Sequence, residues 1–446
     1  MGLSRILFYK YLFEKNLNKT REDILKNREK KFHKLINFVF KNSLFYKNYY
    51  QSHGIRERDL KNISIDKFPS IDKNIMMENY DQIITDKGLS KNRIETFIEN
   101  NPKPLSILNN QYRVIHTSGS TGKIAYFIYN EREWDIIKAV SLRLFNNFGL
   151  KRKNYAFIGA SDGHYAGISL FSSPLKTFQE YFYKNYLIIN LNYPLSGYID
   201  DLNKLNPDNL TGYPSALKML ANFQNKGLLN ISPLTIVSGG EALSPKTKRY
   251  LKRTWKNSNI VNYYGASESI IIGIAKEQFS GLYIFDDINY IEIKDNFYYL
   301  TNLYNYSQPL IRYKMNDILR TVHNKDKKWP FTQVKQIIGR QENILWFRNQ
   351  ENKKEFIHPI VFVEFYVKGL IKFQIIQVND IKFIFKAVID NGKNVKKVKN
   401  KIAKKLTYIL QNKRLSNVSF AIKVVNDIAN DKKTNKYKLI INNKKE

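Results

Sequence analysis

From about residue 110 the chain alternates short β-rich runs with longer helical stretches, and this alternation constrains its architecture more than any other feature. The runs are 113–116, 155–160, 186–191, 234–238 and 259–263, with helical periodicity at 131–148, 214–227 and 244–256 between them. Strands separated by helices of this length cross over and lie parallel instead of closing hairpins. The middle of the chain is therefore expected to be α/β with mostly parallel sheets, and ligands of such folds sit at the carboxyl ends of the strands. Residues 282–303 change character to several short strands. Residues 341–446 read as an α+β module with a long basic helix near 393–413, which places a domain boundary close to Arg340. The expectation is a large N-terminal domain, 1–340, opening with a basic helical region at 1–52, and a small mobile C-terminal α+β domain at 341–446.

A chain of 446 residues exceeds one ordinary core, and 43% hydrophobic residues suffice to bury two. No apolar run approaches the ~18 residues of a spanning helix, and the N-terminus lacks a secretory h-region, so the expected location is the cytoplasm. Zero cysteines fit that compartment and exclude thiolate metal sites and cysteine nucleophiles. The formal charge of +34 attracts acidic surfaces without saying which, and no nucleic-acid recognition module is present, so no specific nucleic-acid partner is expected. In the N-terminal region, Thr20 is a candidate N-cap before Ile24, Leu25, Phe32, Leu35, Ile36 and Val39 at helical spacing. Leu3, Ile6, Leu7, Tyr9, Leu12 and Phe13 either cover the protein's own core or, with Arg5, Lys10 and Lys15, lie peripherally on an anionic membrane at its inner face.

The most informative segment is Thr117-Ser118-Gly119-Ser120-Thr121-Gly122-Lys123, between an apolar run and renewed β structure at 125–129. Its hydroxyls and uncrowded backbone N–H groups can cradle a polyphosphate. It is not a Walker loop, because Thr117 stands where the first glycine belongs and Ile124 where Ser or Thr belongs. Five further segments carry chemistry. Ser238-Gly239-Gly240-Glu241 follows a buried strand, and its glycines allow a flat ring to approach the backbone. Tyr263-Tyr264-Gly265-Ala266-Ser267-Glu268 ends on a carboxylate suited to Mg²⁺, which takes one or two protein carboxylates plus phosphate oxygens. Asp317, in Arg312-Tyr313-Lys314-Met315-Asn316-Asp317, is an acceptor-only carboxylate that on local grounds would form a surface ion pair with Arg312. Ile338-Gly339-Arg340-Gln341-Glu342-Asn343 follows, with lysines at 432, 433, 436 and 438 near the end.

In this order the segments resemble the adenylate-forming (ANL) superfamily of acyl-CoA synthetases and nonribosomal adenylation domains. Within it the similarity is to the phenylacetate-CoA ligase branch that includes CapK-like capsular polysaccharide biosynthesis proteins. The resemblance runs from about residue 110 to the end. It implies an AMP-forming ligase that uses ATP and Mg²⁺ to turn a small carboxylic acid into an acyl-adenylate, with coenzyme A the commonest acceptor. It assigns Thr117 to Lys123 to the phosphates, Ser238 to Glu241 to the adenine pocket, Tyr263, Tyr264 and Gly265 to nucleotide binding, and Ser267 to the α-phosphate. Glu268 is the Mg²⁺ ligand, Asp317 and Arg340 bind ribose, Tyr213, Pro214 and His164 border the acyl pocket, and Lys436 is the catalytic lysine. Catalysis of this kind is positioning plus electrostatics and needs no protein nucleophile. The chain departs from the family at Ser267, which replaces threonine, at Glu342 and Asn343, which replace the acidic pair of the hinge, and at Asn435, which replaces a glycine. The CapK-like side of the resemblance points to an amino-sugar or glycan acceptor. Two other readings stand beside the ligase: a catalytically degenerate nucleotide-binding scaffold, and a basic peripheral membrane or polyanion-binding protein.

Overall fold

A computed structural model describes residues 2–101, 106–117, 124–145, 152–159, 161, 163–171, 183–295, 297–322, 326–338, 344–357, 361–362, 365–429 and 438–442. Three helices open the chain, α1 (Gly2–Asn16), α2 (Arg21–Asn42) and α3 (Leu44–Ser52). Thr20 caps α2 by accepting from the Asp23 N–H, and Ile24, Phe32, Leu35, Ile36 and Val39 form its buried stripe. On α1, Ile6, Tyr9 and Phe13 are buried, Leu3 and Leu12 pack partly against the core, and Leu7, Phe8 and Tyr11 face outward. The basic character of this region finds acidic partners inside the molecule. Arg5 pairs with Asp135 at 3.0 Å, and Arg21 and Arg28 pair with Asp286, while Asn16 donates to Asp287, which is itself paired at 2.6 Å with Arg143 from outside the region. Among the described residues no helix is long and apolar enough to cross a membrane.

Next come α4 (Lys73–Glu78), α5 (Tyr80–Ile83) and α6 (Lys91–Asn100), each short and held by side-chain caps or local turns. An antiparallel pair follows, β1 (Tyr112–His116) with β2 (Tyr126–Asn130), leading into α7 (Glu131–Ser141) through a capping box of Asn130 and Glu133.

The central sheet has nine described strands. β3 (Lys153–Gly159), β4 (Tyr183–Asn190), β5 (Asn209–Gly212), β6 (Thr235–Ser238) and β7 (Asn259–Ala266) run parallel in the order 4-3-5-6-7. Helices α8 (Ala166–Phe171), α9 (Ile199–Leu205), α10 (Pro214–Asn225) and α11 (Pro245–Thr254) lie along the connections. The parallel half matches the sequence expectation. Beyond β7 the sheet turns antiparallel through β8 (Ser269–Ala275) and β9 (Leu282–Ile284), because 267–268 is a tight turn with no room for a crossover helix. Strands β10 (Asn289–Ile293), β11 (Tyr298–Asn302) and β12 (Tyr313–Met315) make a separate sheet. Then β13 (Ile318–Thr321) and β14 (Thr332–Ile338) return to the large one.

After residue 344 the strands pair only among themselves. β15 (Leu345–Arg348) pairs with β16 (Lys354–Ile357). β17 (Leu370–Asn379), β18 (Lys382–Ile389), β19 (Ser419–Val424) and β20 (Ile440–Asn442) form a four-stranded sheet with α12 (Val395–Asn412). This C-terminal unit buries Ile402, Leu406 and Ile409 of α12 and a set of stacked phenylalanines, Phe365, Phe373 and Phe385.

Candidate active site

Strand β7 emerges at the edge of the parallel half, where strand direction reverses, and its last residues turn through Ser267 and Glu268 into β8. This turn lies at the carboxyl end of β7, the end of a parallel sheet at which ligands sit. The Glu268 carboxylate sits there, accepting a hydrogen bond from the buried Tyr313 of β12. Burial pushes its pKa up, and the neighbouring charge of Asp317 adds to this. Its own backbone N–H, the Lys73 ammonium and the Tyr313 hydroxyl pull the other way. Asp317, in the turn from β12 to β13, accepts from the Tyr264 hydroxyl at 2.6 Å, and that hydroxyl also meets Tyr298 at 2.6 Å. Arg312 does not pair with Asp317. It makes a bidentate pair with Glu292, both contacts at 3.0 Å, so the ion-pair alternative for Asp317 does not hold.

Thr117 closes the neck of the Ser/Thr/Gly loop. Its N–H donates to the Ala125 carbonyl at 2.9 Å and its Oγ1 accepts from the Ala125 N–H at 3.0 Å, clasping the two ends of the segment. Lys73 reaches this point from the first turn of α4, with Nζ 3.5 Å from Thr117 Oγ1. Ile71 delivers it by docking beside β12, donating to the Arg312 carbonyl and accepting from the Lys314 N–H. Thr117, Lys73, Glu268, Tyr313 and Asp317 therefore converge from four separate stretches of chain. Ser118, Gly119, Ser120, Thr121, Gly122, Lys123, Arg340 and Lys436 lie outside the described residues.

The Ser238-Gly239-Gly240-Glu241 segment ends β6. The rings lying flat on its glycines are the protein's own: a Cβ on Gly239 would stand 2.0 Å from the Tyr263 ring, and one on Gly240 2.5 Å from Tyr213. Glu241 accepts from the Ser215 N–H and hydroxyl at the start of α10. Ser238 and Asn262 are direct cross-strand partners, and Ser238 Oγ and Asn262 Oδ1 are buried with no hydrogen-bond partner among the described residues. Buried acceptors of this kind suit an incoming N–H donor such as the amino group of a purine ring. The Ser267 carbonyl accepts from the Tyr129 hydroxyl at 2.6 Å, and Gly265 lies in a bulge against the Ile270 backbone.

Beside Thr117 stands an aromatic wall. His116 meets the Tyr165 ring at 4.8 Å and the Tyr366 ring at 5.1 Å. Burial and the charge of Lys405 push its pKa down to about 3, so the imidazole is neutral. His164 adjoins this wall through its backbone, its carbonyl accepting from the His116 N–H at 3.0 Å. It is buried, its Nε2 faces the Asn101 carbonyl, and its ring lies against Phe97. Tyr213 is wedged against Gly159 and Gly240, and Pro214 is buried in the first turn of α10. Among the described residues no group of three or more His, Cys, Asp or Glu side chains could hold a metal ion. Glu268 offers a single carboxylate, the kind of protein contribution an ion liganded mainly by phosphate and water requires.

Sequence reasoning missed Lys73, His116, Tyr313 and Asn262. Lys73 follows its cap Asp72 in an N-terminal stretch with no glycine signal, and only the docking of Ile71 on β12 brings it to the site. Asn262 carried a readable signal, being a polar residue in the interior of a strand, after Ile260 and Val261 and two positions before Tyr264.

No protein-family model matches the chain. Protein CapK of Staphylococcus aureus is 26% identical over 450 residues, spanning 94% of this chain and 90% of the relative. The crystal structure of 2-hydroxyisobutyryl-CoA ligase in complex with 2-HIB-AMP and CoA, in the thioesterification state, superposes with a TM-score of 0.57. It is 15% identical and covers 96% of this chain and 91% of the ligase. The same ligase in the postadenylation state with 2-HIB-AMP gives 0.53, at 16% identity, over 93% and 88% of the two chains. The chain is similar to protein CapK along nearly its whole length and shares the fold of 2-hydroxyisobutyryl-CoA ligase. In this chain the cluster around Glu268 and Asp317 lies at the end of β7, and Lys73 links it to Thr117.

Proposed function

We propose that this protein is an ATP-dependent, AMP-forming ligase that activates a carboxylic acid as its acyl-adenylate. It then passes the acyl group to coenzyme A or to an amine or hydroxyl acceptor. The observation that carries the reading is the convergence of Thr117, Lys73, Glu268 and Asp317 from distant stretches at the end of β7, the strand that also carries Asn262, one of two paired buried acceptors without a partner among the described residues. The substrate carboxylate attacks the α-phosphorus and pyrophosphate leaves, so the protein's task is to hold charge and geometry. Lys73 and the segment opening at Thr117 meet the outer phosphates, and Glu268 holds Mg²⁺, which would neutralise charge building on the phosphate oxygens. Asp317, oriented by Tyr264, accepts from ribose hydroxyls. Asn262 and Ser238 receive the base. By resemblance Arg340 and Lys436 complete the site, Arg340 at the ribose and Lys436 at the α-phosphate.

The CapK-like similarity favours an acceptor used in surface polysaccharide biosynthesis, such as an amino sugar. Retention of the carboxylates at 268 and 317 favours a working enzyme over a degenerate scaffold. The test is ATP-dependent pyrophosphate release screened across aryl, fatty, hydroxy and amino acids. The expected result is release with one acid class that disappears in Glu268→Gln while ATP still binds. Release with no acid, or release unaffected by Glu268→Gln and by Lys436→Ala, would sink the reading.

A further inference from the structure

The C-terminal unit, from 344 to 446, holds 23 Lys and Arg against eight Asp and Glu, and the rest of the chain is also net positive. Two bodies of the same sign repel, so any stable contact between them needs local counter-charge. Helix α6 supplies it. Glu95 and Glu99 stand one turn apart on one face, a spacing at which side chains share a surface. Lys368 Nζ lies 4.0 Å from Glu95 and 3.6 Å from Glu99, and Lys401 Nζ of α12 lies 3.3 Å from Glu99. The contact leads straight to the site. Glu95 accepts from the Tyr126 hydroxyl, that hydroxyl meets the Tyr366 hydroxyl at 3.4 Å, and the Tyr366 ring lies on His116, the neighbour of Thr117. Lys405 of α12 donates to the Tyr366 carbonyl at 3.2 Å, fixing the backbone that carries the ring.

We propose that Glu95 and Glu99, paired with Lys368 and Lys401, form an electrostatic latch that holds the C-terminal unit so that Tyr366 closes the aromatic wall against His116. Tyr366 is then a positioning residue contributed to the site by the C-terminal unit and withdrawn when the latch opens. That the wall borders a nucleotide site rests on the ligase reading above; the latch does not.

Because the chain has no cysteine, the exposed Asn92→Cys on α6 and Lys397→Cys on α12 can carry a donor and an acceptor dye on the otherwise complete protein. At low salt the parent should show one high-transfer population. Raising ionic strength from about 0.05 to 1 M shrinks the screening length several-fold and should change the parent's transfer while erasing the difference between it and a variant without the two carboxylates. Glu95→Gln/Glu99→Gln should already populate the low-transfer state about threefold to tenfold more at low salt, the range expected of a few part-exposed ion pairs. Reversing a pair, Glu99→Lys with Lys401→Glu, should restore high transfer where Glu99→Lys alone does not. Identical transfer in parent and variants at every salt concentration would overturn the latch. Failure of the ligase reading would appear separately, as absence of pyrophosphate release in a parent whose transfer still responds to salt.

Discussion

Glu268 is asked to remain ionised in a place that disfavours charge, and Lys73 is the positive group that helps it do so. Burial and Asp317 raise its pKa above the ordinary carboxylate value, while Lys73 and the hydroxyl of Tyr313 oppose that rise. If Glu268 holds Mg²⁺ as the carboxylate, activity falls on the acid side as the group takes up a proton. That limb therefore lies higher than for a free glutamate. Lys73→Met removes one opposing charge, so the acid limb of pyrophosphate exchange should move to still higher pH. Loss of a cation aimed at phosphate should also lower the plateau by about 10²-fold. A pH profile of the exchange reaction checks both. A lowered plateau with an unmoved limb would place Lys73 on the nucleotide alone, and no change in either would remove it from the site.

The glycines at the end of β6 show how an element can look like a ligand platform in sequence and serve the fold first. The reasoning that Gly239 and Gly240 admit a flat ring was sound about sterics, but the rings that use the space are Tyr263 and Tyr213. A methyl group at 239 must displace Tyr263, whose neighbours in β7 include Asn262 and Tyr264. Gly239→Ala should therefore cost about 1–3 kcal/mol of stability, as overpacking does, and weaken nucleotide binding. Adding Tyr263→Ala should recover part of the stability. Thermal denaturation with and without ATP measures both effects, and a fully additive double variant would show that the two positions do not share this space.

At the same scale, the parallel strands and their helices were legible because crossover connections leave a long apolar-then-amphipathic pattern. Strand β5 was not, since Asn209-Leu210-Thr211-Gly212 is four residues with one large apolar side chain. The antiparallel half was also hidden, because strand direction there depends on a two-residue turn and not on composition. Glu268 and Asp317 could be named from their motifs. Lys73 and Tyr366 could not, because their nearness to the site depends on docking contacts between segments hundreds of residues apart.

Across the whole molecule the excess of positive charge reaches places where it is costly, and Lys413 marks one of them. It lies just past the end of α12, fully buried, with Nζ donating to the Tyr193 carbonyl at 3.0 Å and set over the Phe356 ring at 4.3 Å. Burial lowers its pKa to about 8, with Glu355 opposing the shift only in part. Below pH 8 the lysine is charged both folded and unfolded, so the cost of taking that charge out of water is present in full. Between pH 8 and about 10.5 the unfolded chain binds the proton that the folded chain has released, so stability from this group rises with pH across that window. Lys413→Met keeps the apolar stem over Phe356 and removes the charge. It should stabilise the protein by about 1–3 kcal/mol at pH 7, as replacement of buried charge by packed apolar volume often does. The advantage over the parent should shrink towards pH 10. Urea denaturation at pH 7 and at pH 9.5 separates the causes: an advantage that is the same at both would locate it in packing, whereas a loss of stability at pH 7 would mean that the bond to Tyr193 outweighs the burial of the ammonium.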